Sequence, residues 1–345
     1  MSILEQLLAI ARNTFLESIR QPIVLIVCIA ATILVVLSNP FSAWTMTDDQ
    51  RMFVDIGLST VFLATAVLAS FIATNVLARE IDNRTVLTVV SKPVPRPVFI
   101  VGKFLGVSAS MLVAFLYLGL VFMLVEMHGT LQTARDPLHM TVILAGLGAM
   151  VASIGSAAFL NYFFGKSFVA WALGLGVPML GFAYFLSLFR NNEGEWVSIG
   201  TQFEPEIWKA LFLLALATLV LNALAITAST RLGQVLTLTI VVGVFVLGLL
   251  SDWMLGRALA DHAALVAKAA EGKATITGGE QASAAFFQFC RAALPNFQLY
   301  WLSDTLTQKK AIPSDYIGYA LPYTLALVTG LLSLATMLFQ RREVG

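Results

Sequence analysis

Ionisable side chains are scarce in this chain, yet one stretch is dense with them. After Ala78 come Arg79, Glu80, Asp82, Arg84, Lys92, Arg96 and Lys103, with Asn83, Thr85 and Ser91 among them. No member of the set is a nucleophile beside a base, and none repeats at the spacing of a metal site. The chemistry open to it is recognition, through ion pairs and hydrogen bonds to another surface. Ile81, Val86, Leu87, Val89 and Val90 form an apolar side, while Glu80, Asp82, Asn83 and Arg84 are polar. That pattern predicts a short helix parallel to a membrane. Pro93, Pro95 and Pro97 then break it, because each lacks an amide hydrogen and disfavours helix in the residue before it. A rigid extended bend follows, with Arg96 and Lys103 anchoring the return at headgroup level. A loop that only enforced topology would need the basic residues but neither the bend nor Glu80 and Asp82. Partner docking is the better reading.

Other chemistries are poorly supported. The Gly165-Lys166-Ser167 triplet lacks the glycine that a phosphate-binding loop needs five residues before Gly165, where Leu160 stands. The chain therefore reads as having no ATPase of its own. His128 and His139 share a loop with Glu126 and Asp136 at no standard ligand spacing, and read as solvated loop residues. No serine has a nucleophile-elbow context. Cys28 and Cys290 are too few for a disulfide framework. No catalytic, cofactor-binding or metal-binding residue is assigned.

The elements that hold the charged stretch are apolar. Of 345 residues, 58% are hydrophobic and 12% charged, against ~25% charged in soluble domains. Folding as a soluble domain would leave far more apolar surface than its cores could bury. With 21 basic and 20 acidic residues, no nucleic-acid partner is implied. The fold class is all-α, a polytopic helical membrane protein with about eight transmembrane helices and an N-terminal interfacial amphipathic helix. The spans read as Ile23–Ser38, Phe53–Ala78, Phe104–Val125, Thr141–Phe164, Phe168–Phe189, Ala210–Ser229, Gln234–Leu255 and Gly318–Phe339. A rival reading has six or seven, with the runs flanking Arg231 forming a re-entrant hairpin. Alternating the eight spans puts eleven basic and five acidic residues on the side of both termini, and ten basic and fifteen acidic on the other. Both termini are thereby expected in the cytoplasm.

Residues 1–22 form the amphipathic element. Leu4, Leu8, Ala11, Phe15 and Ile19 make a stripe, with Glu5, Arg12, Asn13, Glu17 and Arg20 mostly outside it. It is too polar to span, and its acidic start does not read as a signal peptide. It is expected to lie in the interface and turn at Gln21–Pro22. Residues 23–255 hold spans one to seven with the docking segment 79–103. Residues 256–317 form an outer helical cap with interfacial aromatics at Leu299-Tyr300-Trp301, and residues 318–345 the last span and a basic tail. Glycines 146, 148, 155, 174, 176 and 181 read as close-packing positions in spans four and five. Within the spans only Asp55 and Asp252 are acidic, both near ends. An ion-coupled carrier would be expected to hold a midplane carboxylate. Energy is therefore expected from a partner, and the uncharged interior suits a lipid-like or other amphiphilic substrate.

The matching positions Glu80, Thr85, Ser91, Lys92, Pro93, Val94, Arg96, Gly102 and Lys103, after an amphipathic start and a first hairpin, resemble the permease subunit of ABC-2 type transporters. The basic ending Gln340-Arg341-Arg342 is also similar to that family's. Arg84 stands where the family usually has Gly, and Pro95 where it usually has Ser or Thr. The resemblance implies an ATP-driven exporter in a bacterial plasma membrane, built from two permease copies or paralogues and two cytoplasmic ATPase subunits. ATP and Mg would then sit on the ATPase, and membrane lipid would surround the permease. Residues 80–96 would be the coupling helix, with Glu80, Asp82, Arg84, Thr85, Ser91, Lys92, Pro93, Arg96 and Lys103 as the coupling residues. Arg12, Glu17 and Arg20 would belong to the connecting helix. The other readings are a non-transporting assembly or signalling subunit that docks an ATPase, and an ion-coupled carrier.

Overall fold

A computed structural model describes residues 2–42, 49–78, 94–130, 137–271, 275 and 277–340. Helix α1 (Ile3–Ile19) precedes α2 (Pro22–Ser42) and α3 (Asp49–Ala73), which ends in a π-helical turn (Thr74–Ala78). Then come α4 (Arg96–His128), α5 (Met140–Phe164), α6 (Phe168–Ser187), the short α7 (Ile199–Gln202) and α8 (Pro205–Ser229). Helix α9 (Gln234–Ser251) continues through a π turn (Asp252–Gly256) into α10 (Arg257–Ala270). Helices α11 (Gly278–Ala293), α12 (Ser303–Thr307) and α13 (Ser314–Gln340) complete the chain. Among the described residues, eight helices are long and apolar enough to cross a membrane. The protein is a polytopic all-α membrane protein. Helices α8 and α9 are separate and full length on either side of Arg231, so the rival re-entrant reading gives way to a tight turn.

Three helices form the centre. About two thirds or more of the apolar windows of α3, α4 and α8 are buried (67%, 72% and 78%), against 22–39% for α2, α5, α6, α9 and α13. The outer five keep broad apolar faces outward, as helices in lipid do. Neutral polar groups tie the centre together and fasten α13 to it. Asn222 Nδ2 donates to Ser108 Oγ at 2.6 Å, and Thr227 Oγ1 to the Leu331 carbonyl at 2.9 Å. Such interhelical bonds contribute about 0.6 kcal/mol each.

At the end away from α1, the structure departs from the sequence reading in two places. The helix containing α9 and α10 runs 37 residues, roughly 55 Å at 1.5 Å per residue. That exceeds the ~30 Å hydrocarbon core, so α10 and its partner α11 stand beyond it. The chain then returns into the bundle instead of resting on its surface. Phe297 and Tyr300 are fully buried, and Phe62 meets the rings of Phe245 at 5.0 Å and Phe297 at 6.0 Å. Gly248 makes the room: a Cβ there would lie 2.5 Å from both the Phe297 ring and the Pro295 carbonyl. The Tyr300 hydroxyl bonds Thr324 Oγ1 at 2.7 Å. Burial pushes that phenol up to about 12. Asp252 holds the entry to the plug, accepting from Arg291 at 3.2 Å and Asn296 at 2.9 Å.

His139 is the second departure. It is 1% exposed rather than solvated, because its Nδ1 accepts the Val142 amide at 3.5 Å and caps the start of α5.

Candidate functional site

Residues 79–93 lie outside the described residues, and with them Glu80, Asp82, Arg84, Thr85, Ser91, Lys92 and Pro93. What the structure describes is the frame from which that segment leaves and to which it returns. It leaves from the π turn of α3. There Asn75 Nδ2 donates to Gln21 Oε1 at 3.0 Å, joining the end of α3 to the turn between α1 and α2. That turn exists because α1 stops at Ile19 and Pro22 opens α2, where a missing amide hydrogen costs nothing.

The chain returns at Pro95, which takes the N-cap of α4 in extended conformation, with Pro97 in the first turn. The extended stretch expected through Pro97 therefore ends at Pro95, and α4 begins at Arg96 instead of near Phe104. Arg96 is consequently a helix residue. Its Nη1 donates to the Gln340 carbonyl at 2.7 Å and the Phe339 carbonyl at 3.4 Å. A guanidinium at the last carbonyls of α13 satisfies acceptors that a helix leaves open and opposes the negative end of its dipole. Its carbon also sits 5.8 Å from the centre of the Phe339 ring, and Phe99 stacks on that ring at 5.7 Å.

Lys103 is held in a different way. It is 3% exposed, with Nζ 4.0 Å from Glu17 Oε2 on α1 and 5.6 Å from the centre of the Phe99 ring. A carboxylate and an aromatic face beside a buried ammonium offset its lost hydration. It lies under α1 and is not directed to headgroups. Arg12 and Arg20 are exposed. The structure therefore brings Lys103 and Glu17 together and joins Arg96 to α13, while Arg12 and Arg20 stay apart on the surface of α1.

Helix α1 packs far more on α4 than on any other element. Two glycines explain the closeness. A Cβ on Gly102 would lie 2.7 Å from Ile10 Cγ2, and one on Gly106 would lie 2.5 Å from the Ala11 carbonyl and Thr14 Cβ. The register advances in the same sense on both helices, so α1 runs alongside the first half of α4. The face it buries holds Thr14, Ser18 and Ile19, while Leu4 and Leu8 of the anticipated stripe remain 63% and 58% exposed. The glycine groove sets the buried face: Gly102 receives Ile10, and Gly106 receives the Ala11 backbone and Thr14. A Ser2–Glu5 capping box starts the helix, with hydrogen bonds of 3.0 and 3.2 Å. Sequence reasoning missed Gly106, Thr14, Ser18 and the Gln21–Asn75 bond. The Gly102-x-x-x-Gly106 spacing is the signal that could have found the first three.

Among the described residues, no group of three or more His, Cys, Asp or Glu side chains is placed to hold a metal ion. Amide, charged and glycine contacts join α1, α3, α4 and α13 around the two ends of one segment. A family model described as ABC-2 family transporter protein matches residues 8–192, more than half of the chain. No curated protein matches it.

Proposed function

The chain belongs to the ABC-2 transporter family, and from that premise we propose that it is the permease of an ATP-driven exporter, driven through residues 79–96 by a separate ATPase subunit. ATP and Mg belong to that subunit, and this chain supplies the path and the lever. A second copy or a paralogue pairs with it in a bacterial plasma membrane, with both termini in the cytoplasm. The substrate is lipid-like or otherwise amphiphilic, in keeping with an interior whose tying groups are Asn, Ser and Thr.

One observation carries the coupling role. The segment is clamped at both ends, by Asn75–Gln21 where it leaves and by Arg96 on α13 where it returns. A displacement of the segment is therefore passed at once to α1, α3, α4 and α13. A floppy attachment would absorb the same displacement. Two-state transmission of this kind needs rigid elements with differential contacts in each state. Glu80 and Asp82 are the contacts proposed for the ATPase, and the α1–α4 seam is the proposed relay.

Co-purification tests this. The wild-type chain, co-expressed with its cognate ATPase, should retain it in detergent. Glu80→Lys together with Asp82→Lys should lower the recovered ATPase about tenfold without moving the permease's melting temperature. Failure of the wild type to retain an ATPase, or an unchanged yield for the charge reversal, would defeat the reading.

A further inference from the structure

A cleft of about 880 Å³ opens between the C-terminal half of α1 and the α5–α6 hairpin, within the roughly 300–1,000 Å³ of ligand sites. Its walls are apolar, with Phe15, Leu16, Val113, Trp171 and Leu175 among them. Its charged lining residues are Arg20 and Lys166, and no acidic side chain lines it. Neither cation is drawn into an ion pair among the described residues. Ser167, at the N-cap of α6, also lines the cleft and makes no side-chain capping bond, which adds the positive end of a 20-residue helix to the same rim.

The depth of the rim is marked independently. Beside Lys166, the end of α5 exposes Tyr162 (83%) and Phe163 (64%), and Trp171 follows in the first turn of α6. Aromatic rings beside a basic residue at a hairpin tip belong to the boundary between headgroups and acyl chains. Cations at headgroup depth above an apolar slot fit a molecule with a phosphate at one end and a chain at the other.

We propose that this cleft binds an anionic phospholipid, its phosphate between Arg20 and Lys166 and an acyl chain along Leu16, Val113 and Trp171. Helix α1 meets α6 directly at few positions, so the lipid fills the gap between them and fastens α1 to the hairpin. Placing the site in the cytoplasmic leaflet rests on the orientation proposed above. The binding itself does not.

The test uses the full chain in mild detergent, with phosphatidylglycerol or phosphatidylcholine added back and bound lipids counted by native mass spectrometry. The wild type should bind one phosphatidylglycerol in preference to phosphatidylcholine. Arg20→Gln with Lys166→Gln should lose about tenfold or more in affinity, and Arg20→Lys with Lys166→Arg should keep it. Gly174 lines the cleft, and a Cβ there meets nothing within 4 Å. Gly174→Leu should therefore fill the slot without disturbing the fold, and should lose the lipid with both cations in place. Equal binding of the two lipids, wild-type binding by the double Gln variant, or an unaffected Gly174→Leu would each overturn the proposal. No ATPase is needed, so this result stands apart from the coupling experiment.

Discussion

Gly102 and Gly106 on α4, and Gly148 and Gly155 on α5, are small residues on apolar helices, yet their surroundings are opposite. The first pair lies under α1 so closely that a Cβ would sit 2.5–2.7 Å from its atoms, while a Cβ on the second pair would meet nothing within 4 Å. Between them fall Gly146, 3.6 Å from Leu124, and Gly176, 3.2 Å from the Tyr117 ring. The sequence expectation that the glycines of spans four and five are packing positions thus holds within the chain for Gly146, Gly176 and Gly181, the last 3.9 Å from Leu120, but not for Gly148, Gly155 or Gly174. A small residue permits close approach without causing it. What holds α1 on α4 is the seating of Ile10, Ala11 and Thr14 on the two glycines, together with the Glu17–Lys103 pair and the short tether to α2. The exposed face of α5 has no such partner within the chain.

Substitutions can break this contrast. The largest effect is expected at Gly106. Gly106→Leu must push α1 away from α4, at a cost of about 1–3 kcal/mol or more, whereas Gly155→Leu should leave stability unchanged or raised, since Gly is the weaker helix former. Denaturant titration in detergent would compare them, and equal losses would mean that the seam is not what holds α1.

A smaller difference should appear at the other end of the bundle, within one helix. A Cβ on Gly248 would lie 2.5 Å from the Phe297 plug, while one on Gly243 would meet nothing within 4 Å. Gly248→Ala should cost about 1–2 kcal/mol and raise amide exchange across residues 294–302. Gly243→Ala should do neither. Matching exchange in the two variants would show that the plug is loosely seated.

The smallest effect concerns the start of α5. Burial lowers the pKa of His139 from its ordinary value, so folding favours the neutral ring relative to the unfolded chain. Its folded-state pKa lies below the unfolded one, and the unfolded state binds more protons as pH falls through about 6.5. Stability should therefore drop on going from about pH 7.5 to about pH 5.5. His139→Asn keeps an N-cap acceptor but cannot titrate, and should flatten that slope. An identical slope in the variant would place the pH sensitivity elsewhere.

Much of the fold was legible because lipid imposes a simple rule: a chain that spans must do so with runs of about 20 apolar residues. The eight runs, the turn at Gln21–Pro22 and the tight connection at Arg231 follow from that rule and from proline. Span ends were read less well. Arg96 and Lys103 looked like loop residues because charge usually ends a span, but here the carbonyls of α13 and the carboxylate of Glu17 hold them within α4. The aromatic run at residues 297–301 looked interfacial for the same local reason. Its burial depends on Gly248, some fifty positions earlier.

Composition and periodicity by themselves determined that this protein is a helical bundle in a membrane, with its charge gathered around one connecting segment. Those properties depend on each residue's own solvation and on its near neighbours in sequence. Only the tertiary structure decided which face of α1 is buried, which glycines are filled, that Arg96 closes α13 and that Phe297 plugs the far end. Each of these depends on the distance between atoms far apart in the chain, and that distance is fixed only when the helices pack.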